Sequence, residues 1–447
     1  MRRLVSQLLA LAWPVALARL GIMSMGVCDV VVVGQLAPHE LPHQALGWAP
    51  TGVFLVTAIG LLTGVQVLAS RALGAGTAAL AGGALQCGLA ISAVVGALAI
   101  AIAQLFGEHM FAAFGVAPEL IGPSTRIMQV LMLSIPLHLA YVAGAFFVEA
   151  LQRPLISTWL MWIANVVNLV INLWLVPRLG ALGSAWATVC ARGFLAVTLL
   201  AWIWLQTDAR DLGLRKLSSG WGYRSFLAVG TAAALSQAAE AGAFSGMTIL
   251  AGRLGGEAVA AYQILLNLLA VVFMVSLGFA AATAVLASRA VGRIEPLEAI
   301  RVSWFGLALN TLLMLGIAAL VIAAAGPIAR AYTTDPSITQ VVLLWMPLVA
   351  LASLADGGQV VVSSALRAQG DNWAPTASHL LAYACVMPLV AVVLAEQRGL
   401  GVQGLLLAVN WASFLSVAVL MARLWALTRR ARAQHPAHDP AQSPINA

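Results

Sequence analysis

Three carboxylates hold the chemistry this sequence offers. Asp29 stands in PVALARLGIMSMGVCDVVVVG (14–34), Glu240 in TAAALSQAAEAGAFSG (231–246) and Asp356 in LVALASLADGGQVVV (348–362). Each run is apolar and long enough to cross a bilayer, and a charge at mid-depth costs about 2.5–3.5 kcal/mol on insertion scales. Such an acid must face the protein interior or a wet cavity. There it binds a proton or a cation, or it is a structural acid bonded to neighbouring helices. Glu240 and Asp356 belong to the same half of the chain. If they share a cavity, their like charges either hold a proton or attract a metal ion such as Na+.

Polar residues at helical spacing accompany the acids. Asn168 and Asn172 are four apart and share one face of their helix. They are interhelical glue or a polar wall opposite Asp29. Gln263 and Asn267 repeat the spacing. Packing glue is their simpler role, with Gln263 retained as a cavity residue. Pro14 removes a backbone hydrogen bond inside the first run, which predicts a kink or hinge there. Arg19 and Arg192 also lie within apolar runs, as cavity lining or as snorkelling or carbonyl-capping groups. Glu149 precedes Arg153 by four residues, which predicts a surface ion pair.

Two motifs of soluble enzymes are present and rejected. His39-Glu40-Leu41-Pro42-His43 spells HExxH, but Pro42 would break the helix that must carry both histidines. Gly74-Ala75-Gly76 with Ala79 fits GxGxxA, yet it follows a membrane run rather than a strand. Cys28, Cys87, Cys190 and Cys385 are widely spaced, which supports neither a zinc site nor a disulfide framework.

The elements that position these residues are membrane helices. Of 447 residues, 62% are hydrophobic and 9% charged, which a soluble chain of this length could not bury. The net charge of +7 is explained by basic loops rather than by nucleic acid. Spans are expected near 6–34, 45–69, 82–106, 125–149, 155–177, 181–205, 224–252, 257–287, 301–325, 338–366, 374–395 and 401–426. The N-terminal run has no cleavage site before Asp29 and reads as a retained first span. Most basic residues, Arg2, Arg3, Arg71, Arg289 and Arg367 among them, fall on one side. Arg126, Arg178, Arg253, Arg330 and Arg398 fall on the other. The positive-inside rule then puts both termini in the cytoplasm.

The chain repeats itself. VLASRALG (67–74) recurs as VLASRAVG (285–292), an offset of 218 that also maps Gly34 on Gly252 and Gly60 on Gly278. The fold class is therefore all-α integral membrane, with about twelve helices in two six-helix lobes around a central cavity. The expected divisions are a lobe at 1–206, a cytoplasmic linker at 207–223, a lobe at 224–428 and a disordered tail at 429–447.

The CDVVVVG block, the VLASRALG/VLASRAVG pair, NLVINLW, AAYQILLN and ADGGQVVVSSALRAQGD, in this order, resemble the multidrug and toxic compound extrusion (MATE) family, nearest its NorM-like branch. The resemblance covers about 6–426. It implies antiport in the inner membrane by a functional monomer. Amphipathic, often cationic drugs would leave against entering Na+ or H+, with no other cofactor. It implies that Asp29 is the first-lobe coupling aspartate with Asn168 and Asn172 beside it. Glu240 and Asp356 would be the second-lobe acidic pair. A tyrosine often found one turn before that aspartate is Ala352 here, and Arg19 departs from the family's first helix. Competing readings are a flippase for lipid-linked oligosaccharides, which needs a cationic cavity, and, less well supported, a membrane-embedded enzyme or a passive channel.

Overall fold

The computed structural model describes residues 2–113, 115–206, 209–215 and 223–434. Twelve long helices make up nearly all of it. The first six are α1 (Arg2–Leu36), α2 (Leu41–Gly74), α3 (Ala78–Ala113), α4 (Pro118–Ala150), α5 (Leu155–Leu179) and α6 (Ala181–Leu205). The second six are α7 (Tyr223–Arg253), α8 (Gly256–Gly292), α9 (Pro296–Ala323), α10 (Pro336–Ala368), α11 (Trp373–Gln397) and α12 (Val402–Gln434). Among the described residues, eleven helices are long and apolar enough to cross a membrane. The helix outside that set is α7, 31 residues long, which carries Glu240 among its alanines and glycines. Exposed Leu98 and Leu105 on α3 and Leu312 and Leu320 on α9 suit contact with lipid rather than water.

The two halves pack alike. In the first, α4 lies against α2, α3 and α6, and α5 against α1 and α6. In the second, α10 lies against α8, α9 and α12, and α11 against α7 and α12. Between the halves, α1 packs on α8 and α2 on α7, and α2 meets α8. Glycines set these approaches. A methyl group on Gly60 would strike the backbone of Ala233 and Ala234, and one on Gly278 would strike Ala12 and Ala16. The repeated motifs meet each other: Gly74 abuts the Arg289 carbonyl and Gly292 the Arg71 carbonyl.

The lobes join at the end of the bundle where α2 and α8 finish. Leu4, Leu8 and Leu11 of α1 share a core with Phe279, Val285 and Leu286 of α8. Toward the other end the cores separate. Val32 and Val33 pack with Leu131, Val176 and Ala181 of the first lobe. Met247, Tyr262, Val342 and Val402 pack within the second.

Several details depart from the sequence reading. Pro14, the expected kink or hinge, lies inside the continuous helix α1. Pro42 sits in the first turn of α2, where a missing N–H costs nothing, rather than breaking it. Residues 429–434, assigned to the tail, continue α12, and 435–447 lie outside the described residues. Much of the 207–223 linker also lies outside them. Its described part rests on α3, where the Gly82 N–H donates to the Leu212 carbonyl at 2.9 Å and Gln86 Nε2 to the Leu214 carbonyl at 3.3 Å.

Candidate functional site

The first site is built where α1, α5 and α6 meet. α5 is fastened to α1 by side chains that seek backbone carbonyls: Thr158 Oγ1 donates to Pro14 at 2.8 Å and Asn165 Nδ2 to Gly21 at 3.0 Å. The same face of α5, two turns on, reaches Asp29. Asn168 Nδ2 and Asn172 Nδ2 donate to Asp29 Oδ1 at 3.1 and 2.7 Å, and Thr188 Oγ1 of α6 donates to Oδ2 at 2.7 Å. Asp29, Asn168 and Asn172 are fully buried. The spacing of the two asparagines thus brings both amides to Asp29 from one face of α5, although neither lines the cavity described next.

Asp29 also lines a cavity of about 400 Å³. Its walls are mostly apolar, with Met23, Met25, Met161, Trp48 and Leu55, and its polar groups are Gln44, His138, Thr188 and Arg192. Arg192, one turn beyond Thr188, is buried, donates to Ser134 Oγ at 2.7 Å and lies 5.3 Å from the Trp48 ring centre. It is a cavity residue, neither a snorkelling nor a carbonyl-capping one.

The second site joins α7, α10, α11 and α12. Glu240 and Asp356 come together through Gln359, whose single amide nitrogen lies 3.4 Å from Glu240 Oε1 and 3.3 Å from Asp356 Oδ1. Tyr383 OH donates to Asp356 Oδ1 at 3.0 Å, and Ser413 Oγ approaches it at 3.5 Å. His379 Nδ1 lies 3.6 Å from Glu240 Oε2 and 2.7 Å from Ser236 Oγ. His379 and Tyr383 are one turn apart on α11, so one helix face serves both acids. The α11 backbone widens into π-helical turns over Leu380–Val386, directly after His379, a distortion frequent at functional sites. Ala352 leaves no hydroxyl one turn before Asp356, and Tyr383 supplies one from the neighbouring helix.

One expectation is corrected, and two further residues are placed. Gln263 is exposed on α8, donates to Thr248 Oγ1 at 3.3 Å, and lines a pocket with Asn267 and Tyr332 rather than the cavity beside Asp29. Glu149 makes no surface pair: it is buried, 3.7 Å from Arg19 and bonded to Gln66 Nε2 at 2.6 Å. An apolar neighbourhood turns it inward, and Arg19 is accordingly half of an ion pair. Glu40 of the HExxH string is a cap for α6, accepting from the Ala181 N–H at 2.7 Å.

Sequence reasoning missed Thr188, His138, Gln359, His379, Tyr383 and Ser413. Each is a polar residue within an apolar run. Gln359 lies three residues after Asp356 and so on the same face, which is a usable signal. For Tyr383 and Ser413 the pairing is tertiary and leaves no mark on the sequence.

The MatE family model matches residues 14–174 and 232–392, two segments with the same 218-residue offset as the internal repeat. The chain is 39% identical over 446 residues to "Probable multidrug resistance protein NorM" of Caulobacter vibrioides, covering 95% of this chain and 92% of that protein. It is 29% identical to "Multidrug resistance protein PmpM" of Pseudomonas aeruginosa, over 85% of this chain and 81% of that protein. In fold it is similar to the crystal structure of the eukaryotic MATE transporter AtDTX14, with TM-score 0.86 at 17% identity over 97% of this chain and 99% of that one. It is equally similar to an outward-facing multidrug resistance MATE transporter, with TM-score 0.86 at 17% identity over 95% and 96%. A twice-matched family model and relatives aligned over nearly their whole length leave one assignment: this chain belongs to the MatE family, the multidrug and toxic compound extrusion transporters, in its NorM-like branch.

Proposed function

We propose that the chain is a multidrug antiporter that exports amphipathic, often cationic small molecules by alternating access, coupled to entry of H+ or Na+. One observation carries this reading. Asp29, a buried acid, lines a largely apolar cavity of about 400 Å³ in a duplicated two-lobe scaffold. Such a cavity suits an apolar cation, since most of its contact area is hydrophobic and a single acid orients the charge. Lobes that share a core at one end and hold separate cores at the other suit rocking about that end. Glu240 and Asp356 supply a second buried site whose occupancy can bias the rocking. The chain acts as a monomer in the bacterial inner membrane with both termini in the cytoplasm. The NorM and PmpM names of its relatives support the substrate class.

A flippase for an anionic lipid head group would need several free cations in the cavity. Arg19 is neutralised by Glu149, which leaves Arg192. The test is ethidium transport in proteoliposomes with a pH gradient and a sodium gradient imposed separately. Movement against its own gradient supports antiport. Ethidium that never exceeds equilibrium under either gradient sinks it.

A further inference from the structure

The notable feature of the second site is what stands between its two acids. Gln359 is fully buried, and its Nε2 is shared by Glu240 Oε1 and Asp356 Oδ1. An amide nitrogen has two hydrogens, one for each carboxylate. Those hydrogens stand where a metal ion shared by the two acids would sit. Asp356 Oδ1 also faces the hydroxyls of Tyr383 and Ser413, so its lone pairs are turned toward donors. Hard cations require oxygen lone pairs instead.

The other end of the amide is equally informative. Gln359 Oε1 is buried and has no hydrogen-bond partner. Such an orphan is costly to hold. A half-turn of the amide exchanges nitrogen and oxygen, and Oε1 would then accept from the O–H of a protonated Glu240 or Asp356. Each protonation state of the pair thus has a matching amide orientation. Glu240 is also faced by Arg367 of α10 and by His379 and Tyr383 of α11. Sodium bound at Asp356 Oδ1 would need the amide turned and both hydroxyl hydrogens withdrawn. A proton needs only the turn.

We propose that Gln359 makes the second-lobe cluster a proton site rather than a metal-cation site, switching its amide between carboxylate-binding and carboxyl-binding orientations. The proposal deepens the antiport reading and rests on it for its role in transport, but its chemistry can be tested without transport.

The purified full-length protein in detergent is followed by infrared spectroscopy of its carboxyl C=O band during a pH titration, with and without sodium. The expected result is a protonated-carboxyl band that weakens in Glu240→Gln and in Asp356→Asn and is insensitive to sodium at fixed pH. In Gln359→Leu the carboxylates lose a donor, so the band should appear at a pH about one unit higher. Ethidium binding should stay within about threefold, because Gln359 does not line the drug cavity. A purely structural role would not move the band. Sodium that removes the band of the wild type at constant pH overturns the proposal, even if Gln359→Leu fails to fold. Failure of any gradient to move ethidium, with the band behaving as expected, would sink the antiport reading and leave the proton site standing.

Discussion

Arg71 and Arg289 reach across the lobe boundary in opposite directions to equivalent carbonyls. Arg71 Nη2 of the first lobe donates to Ala368 O at the end of α10, at 2.9 Å. Arg289 Nη2 of the second lobe donates to Ala150 O at the end of α4, at 2.7 Å. Both the donors and the acceptors are separated by 218 residues, the offset of the repeat. Each arginine satisfies a terminal carbonyl that its helix leaves unpaired.

These crossed caps should hold the joined end of the lobes shut. A hydrogen bond from a charged donor is worth roughly 1.5–3 kcal/mol, so losing one should raise the open population about ten- to a hundredfold. Arg71→Ala and Arg289→Ala are each expected to lengthen the distance between spin labels at Thr77→Cys and Glu295→Cys. The two variants should act alike, because the contacts are equivalent. Unchanged distance distributions in both would show that glycine packing alone closes this end.

Pro14 offers a second test of motion. Its carbonyl is gripped by Thr158 at 2.8 Å, and the equivalent Ala232 carbonyl is gripped by Thr376 at 2.7 Å. The repeat therefore keeps the grip in both lobes but the proline in one. Pro14→Ala restores a backbone N–H and should stiffen α1, slowing ethidium turnover. Affinity should stay within about threefold, since conformational steps rather than contacts would be affected. A turnover equal to wild type would make Pro14 a tolerated residue without a mechanical role.

The two-lobe fold was legible because duplication and hydropathy are both linear signals. VLASRALG and its copy point to the lobes, and the structure adds that these motifs touch. Asp29 with Asn168 and Asn172 was legible because helical spacing places the amides on one face. Glu240 and Asp356 could be joined only through the family resemblance, because Gln359 has partners on two helices and spacing alone does not reveal them. Glu149 was misread for a related reason. Its i+4 neighbour Arg153 is local, whereas its partners Arg19 and Gln66 are 130 and 83 positions away.

Asp29 and Arg192 line one cavity with opposite charges. Asp29→Asn should weaken ethidium binding about tenfold, through loss of a desolvated charge contact. Arg192→Met should do the reverse for cationic drugs and leave neutral ones unchanged. Isothermal titration of the detergent-purified variants with one cationic and one neutral ligand reads both. Equal effects on the two ligands would mean that shape, not charge, is recognised.

The arginine distribution makes a topological prediction. Cysteines replacing Ser218 and Ala437, both outside the described residues, should react with a membrane-impermeant maleimide only after the cells are opened. Labelling of intact cells at either position would reverse the assigned orientation.

The Arg19–Glu149 pair predicts stability effects that are coupled rather than additive. Glu149 is buried between Arg19, 3.7 Å away, and Gln66, at 2.6 Å. The Arg19 guanidinium also lies 5.4 Å from the Phe146 ring centre. The equivalent of Glu149 in the second lobe is Arg367, of opposite charge, so this pair is not a requirement of the repeated fold. Removing one partner strands a buried charge, at a cost of roughly 3–5 kcal/mol, whereas replacing both by apolar groups is often neutral. Arg19→Met and Glu149→Leu should therefore each lower the melting temperature of the purified protein, and the double variant should recover most of the loss. If Arg19 serves transport as well, the double variant should be stable yet slow. Additive losses in the double variant would show that the two residues act independently, and that their proximity contributes nothing to the fold.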